Sequence, residues 1–79
     1  MSKASVYFKV RGIKGTHGVK ELKRELNSFH GVISVSVNDN ADNIAVDFDT
    51  TGLNQEQLKT KIEKMGYDIT QMKFENHIM

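Results

Sequence analysis

An α+β sandwich of order βαββαβ is predicted for this chain, on three observations. Stretches of apolar/polar alternation recur along the sequence, two stretches with apolar residues every three or four positions sit between them, and the central pair of alternating stretches is joined by a run of turn-forming residues. At 79 residues the chain is expected to form one domain, 1–79, with its core over about residues 4–74.

Residues 4–10 alternate, with Val6, Phe8 and Val10 on one side and Tyr7, Lys9 and Arg11 on the other, the pattern of a half-buried strand. From Gly18 to Phe29, Val19, Leu22, Leu26 and Phe29 share one helical face, and Lys20, Lys23 and Arg24 lie opposite. His30-Gly31 ends that helix, with Gly31 suited to the left-handed position after it. Residues 32–37 alternate again, Ile33, Val35 and Val37 inward and Ser34 and Ser36 outward. The turn residues 38–43 lead to Ile44, Val46 and Phe48 alternating with Ala45, Asp47 and Asp49, so the two strands read as an antiparallel hairpin.

Asn54 and Gln57 have the spacing of a capping box, flanked by Leu53 and Leu58 as a hydrophobic staple. Leu58, Ile62 and Met65 supply the buried stripe of this second helix, and Gly66 closes it. A last strand runs from Tyr67 to Phe74, where the alternation slips phase between Ile69 and Met72, the mark of a bulge or a sheet edge. Residues 75–79 are expected to fray, and Met65 and Met72 to pack in the core. Two βαβ halves around a hairpin give a four-stranded antiparallel sheet with both helices on one face, a ferredoxin-like sandwich.

Composition narrows the chemistry. The chain is 38% hydrophobic and 27% charged, ordinary for a globular domain. It contains no cysteine, which excludes disulfides and thiolate zinc sites and leaves packing to supply stability on the order of 5 kcal/mol. No apolar run reaches the roughly 18 residues of a membrane span, and the N-terminus has no signal-peptide core. A cytoplasmic location without membrane insertion is expected. Charge is uneven: residues 1–30 hold seven basic and two acidic side chains (+5), and residues 31–50 hold four Asp and no Lys or Arg (−4). Such a dipolar surface suits a charged partner, and a solvated surface without one accounts for it equally.

Several anchors resemble the heavy-metal-associated domain, the fold unit of copper chaperones and of the N-terminal modules of metal-pumping ATPases. They are Val10-x-Gly12-Ile13, His30-Gly31-Val32-x-Ser34-Val35-x-Val37, Val46-Asp47-Phe48-Asp49 and Ile62-Glu63-x-x-Gly66-Tyr67, in this order over residues 5–74. The family's first loop reads Gly-Met-x-Cys-x-x-Cys. In this sequence Gly15 and Gly18 take the cysteine positions and Ile13 the methionine position. Thiolates are the soft ligands that select Cu(I), and glycine offers no side-chain donor. The resemblance therefore implies the scaffold, the loop position, and Tyr67 close to that loop, without the metal ligands. It also implies a docking surface, because in this family the loop and first helix meet a partner domain of the same fold, often through opposite charges.

Two function readings follow. In the first, the chain is a heavy-metal-associated-like binding domain lacking the thiolate site. It docks an acidic protein partner, as a monomer or weak dimer, through Lys14, His17, Lys20, Lys23, Arg24 and Tyr67. In the second, it is a metal-ion transport chaperone that holds a transition-metal ion weakly through His17, a loop carbonyl and ligands from the partner, with affinity fading at acidic pH as the imidazole protonates. His17 and His30 lie at opposite ends of a helix about 18 Å long, so within one molecule they cannot share an ion.

Other classes fit less well. Gly12, Gly15 and Gly18 with Arg11, Lys14 and Lys20 suggest an anion cradle, yet the spacing is not that of a P-loop, and a turn needing positive φ explains the same glycines. Acylphosphatases are similar in topology, but their arginine at the start of the first helix and their strand asparagine have no match. No Ser–His–Asp or Cys–His arrangement is present either, so no catalysis is expected. Asp47 and Asp49, read as surface solubility residues, would repel phosphate from the strand that nucleic-acid readers of this topology use.

Overall fold

The structure, a computed structural model, describes residues 3–13 and 15–77, with the side chains of Thr16 and His77 left aside. The elements follow the predicted order: β1 (Lys3–Arg11), α1 (Gly15–Asn27), β2 (Val32–Asn38), β3 (Asn43–Asp49), α2 (Gln55–Lys64) and β4 (Asp68–His77). All strand pairs are antiparallel, in the sheet order β2-β3-β1-β4, so β2 and β4 are the edges.

One face of the sheet carries the core. Val6, Phe8, Val10, Ile44, Val46 and Phe48 are buried beneath Leu22 and Leu26 of α1 and Leu58 and Ile62 of α2. The strand alternation produces this directly, since Val6 faces Val46 and Phe8 faces Ile44 across β1 and β3. The two helices are tied by an ion pair, Lys61 Nζ to Glu25 Oε1 at 2.9 Å. The capping box forms as its spacing predicts. Asn54 Oδ1 accepts from the Gln57 amide and Gln57 Oε1 accepts from the Asn54 amide, each at 3.0 Å, and Leu53 and Leu58 are both buried.

Several expectations need correction. Helix α1 begins at Gly15, a turn earlier than Gly18, because its first turn carries two glycines and no apolar residue to give a periodic signal. It ends at Asn27 rather than Phe29. There the Ser28 hydroxyl donates to the Glu25 carbonyl at 2.6 Å, and Ser28 and Phe29 make tight i→i−3 bonds instead of continuing the helix.

Ile33 is 48% exposed instead of inward. Val32 faces Phe48 and Ser34 faces Asp47, leaving Ile33 as the extra residue of a bulge and giving Val32 its inner place. Residues 75–77 belong to β4, since Lys3, Ala4 and Ser5 of β1 supply partners for His77, Asn76 and Glu75. Residues 78 and 79 lie outside the described residues.

Met72 is on the inner face opposite Phe8, but on this edge strand it is 39% exposed. The phase slip in β4 is a bulge on an edge strand: Lys9 faces Gln71 and Val10 faces Ile69. The intervening Thr70 donates its hydroxyl to the Lys9 carbonyl at 3.0 Å. Asp47 and Asp49 are more than solubilising groups. Asp47 accepts from the Ser5 and Ser34 hydroxyls, joining β1, β3 and β2 on the open face. Asp49 Oδ1 accepts from the Thr51 amide at 2.9 Å, and this bond holds its carboxyl below the usual carboxylate range.

Candidate functional site

The first β–α turn is bounded by glycines and packed by two larger side chains, Ile13 and Tyr67. Gly12 and Gly15 have φ of +83° and +60°, so the chain leaves β1 and enters α1 through left-handed backbone that L side chains rarely adopt. Between them Ile13 turns inward and is buried at the edge of the core. Lys14, one of the predicted docking residues, lies outside the described residues.

Gly18 is buried, with its Cα facing Tyr67 and Ile13. A β-carbon there would stand 3.2 Å from the Tyr67 hydroxyl oxygen and 3.5 Å from Ile13 Cγ2. Tyr67 reaches this position because α2 closes immediately before it: the Gly66 amide donates to Glu63 O at 3.0 Å and the Tyr67 amide to Ile62 O at 3.4 Å. The return of the chain from α2 thus lays the tyrosine over the start of α1. Burial pushes the Tyr67 phenol up from its ordinary value, and the Glu21 carboxylate adds to the effect.

Around this contact α1 presents its polar face. His17 is almost fully exposed, and its Nε2 lies 3.7 Å from Glu21 Oε2, one helical turn on. Lys20, Lys23 and Arg24 are exposed. Arg24 Nε is 3.6 Å from Glu25 Oε2, and Glu25 also holds Lys61, so that carboxyl stays below its ordinary range chiefly through the Lys61 hydrogen bond and charge. Gly18 and Tyr67 therefore meet at one end of the domain, with His17 exposed next to Gly18 in the first turn of α1 and Lys20, Lys23 and Arg24 further along the helix. Sequence reasoning missed Glu21, although its i,i+4 spacing from His17 marks a side-chain pair.

The donor set does not fit a soft monovalent ion. The loop's side chains include no thiol or thioether, and no cluster of three or more His, Asp or Glu residues is found among the described residues. Gly15 has open space where a side chain would point but a backbone that disfavours one, and the space beside Gly18 is taken by Tyr67. What the site offers chemically is an imidazole–carboxylate pair and a cationic helix face.

A model of the heavy-metal-associated domain matches residues 7–68. The copper chaperone CopZ of Staphylococcus saprophyticus is 32% identical over 66 residues, spanning 84% of this chain and 97% of its own length. Among solved structures, a CopZ metallochaperone superposes with a TM-score of 0.79 at 29% identity, covering 84% of this chain and 98% of that one. Oxidised MerP from Ralstonia metallidurans shares the fold with a TM-score of 0.76 at 21% identity, covering 87% and 99%. The two CopZ relatives are described as chaperones rather than enzymes, and the likeness supports a metal-handling role. Among the described residues, no helix is long and apolar enough to cross a membrane.

Proposed function

We propose that this chain, which belongs to the heavy-metal-associated domain family, acts in metal handling as a docking module that recognises an acidic protein partner rather than as a self-sufficient ion carrier. One observation carries the reading. The loop end of the domain is sealed by Tyr67 over Gly18 with no soft donor, while Lys20, Lys23 and Arg24 stand exposed on the adjoining helix. An interface built on those cations gains association rate from steering, and its affinity falls with salt.

The test is an NMR titration of the labelled chain with a heavy-metal-associated domain whose docking face is acidic, at low and high ionic strength. Shifts confined to residues 11–24 and Tyr67, weakening as salt rises, are expected. Absence of binding, or binding indifferent to salt, overturns the reading.

A second reading is favoured by the His17–Glu21 pair, two donors 3.7 Å apart on an exposed turn. Two donors make half a site, which a partner's ligands would complete. In that case His17→Ala lowers Zn(II) affinity of the complex; unchanged affinity sets the reading aside.

A further inference from the structure

The open border of β4 carries a pattern that is complementary to itself. We propose that two copies of this chain pair antiparallel along β4, about a two-fold axis at Phe74, joining their sheets into one. Among the described residues β4 has β1 as its single neighbour, and beyond the bulge at Thr70 its other border runs unbroken from Gln71 to His77. Edge strands are usually protected by shortness, proline or covering loops. β4 is 10 residues long and the chain has no proline.

The axis at Phe74 sets each Lys73 opposite Glu75 of the second copy, twice by symmetry, on the open face of the sheet. Both side chains are exposed. On the inner face each Phe74 meets its own copy, and Met72 meets Asn76 of the second copy. Phe74 is 42% and Met72 39% exposed in the single chain, an apolar strip next to the core. On its core side the Phe74 ring lies against Phe48, with centroids 6.3 Å apart.

Charge also fixes the register. Moving the axis by one residue, to Lys73 or to Glu75, places two ammonium groups or two carboxylates face to face, which disfavours both alternatives. The other edge has no such code. β2 carries no charged residue over Val32–Asn38 and is bulged at Ile33. The pairing edge lies on the α2 side of the sheet and the docking face proposed above on α1 beside β2, so either proposal can fail alone.

Sedimentation equilibrium of the full chain in the presence of a chelator tests this, up to millimolar concentration. The wild-type mass is expected to rise toward the dimer. Lys73→Glu and Glu75→Lys each weaken dimerisation by about tenfold through like-charge contacts. An equimolar mixture of the two variants, and the double variant Lys73→Glu/Glu75→Lys, recover it. Circular dichroism checks that each variant is folded. A wild type that stays monomeric, single variants that dimerise like the wild type, or a mixture that fails to recover dimerisation overturns the proposal.

Discussion

The Tyr67 hydroxyl lies 3.2 Å from the point where a β-carbon on Gly18 would stand, so the end of α2 and the start of α1 share one small volume. Glycine is what lets the phenol rest there. The same contact links the ordering of the loop to the closing turn of α2.

This contact makes Gly18 and Tyr67 energetically coupled. Gly18→Ala gains helix propensity of about 1 kcal/mol but pushes on the phenol oxygen. The gain is expected to be larger in a Tyr67→Phe background, where that oxygen is gone. A double-mutant cycle by urea denaturation measures the coupling; two additive substitutions would show that the contact carries no energy. Gly15→Ala, with φ of +60°, is expected to cost about 1 kcal/mol in either background.

Tyr67 titrates above its ordinary value of 10.0, from burial first and the Glu21 carboxylate second. A group raised in the folded state stabilises below its unfolded value, and that contribution is lost as pH rises through the folded value. Glu21→Gln is expected to bring the phenol partway back toward 10.0. Ultraviolet absorbance between neutral and strongly alkaline pH reads this directly, and an unmoved titration would separate Glu21 from Tyr67.

Glu25 is held below its ordinary 4.5 by the Lys61 hydrogen bond and charge, with Arg24 adding less. Its contribution to stability is therefore present above that value and lost as pH falls through the lower folded value. Lys61→Met is expected to lower the melting temperature slightly at neutral pH, with the gap to wild type closing in acid. A gap that stays constant with pH would assign the effect to packing of the lysine stem.

The bulge in β2 makes opposite forecasts for two isoleucines. Ile33→Ser, at a half-exposed bulge position, is expected to change stability by less than about 0.5 kcal/mol. Ile44→Ala, fully buried near the start of β3, is expected to cost about 2–4 kcal/mol, most of what a domain this size has. Urea midpoints for the two variants decide it.

Local chemistry explains which parts of this fold were legible. Helix α2 was readable from Asn54, Gln57 and the two leucines because caps are short-range and mark themselves in sequence. The first turn of α1 was not, since Gly15 and Gly18 answer to backbone conformation and to Tyr67, neither of which leaves a periodic trace. Residues 75–77 read as a tail because a strand at the border of a sheet needs neither face buried. Ile33 was misassigned because one inserted residue reverses inside and outside, and alternation alone cannot register the insertion. At the site, Tyr67 came through family resemblance only, while Glu21 was within reach of helical spacing and went unread.

The two borders of the sheet also differ in what they permit. One bears an unbroken, self-matching stretch past Thr70, and the other is kinked at Ile33 and lacks any charge to set alignment. A molecule with two equivalent sticky margins could polymerise without limit, as fibres do. With a single usable margin and a rotational symmetry that consumes it, growth stops after one addition, which keeps so small a domain from becoming a filament.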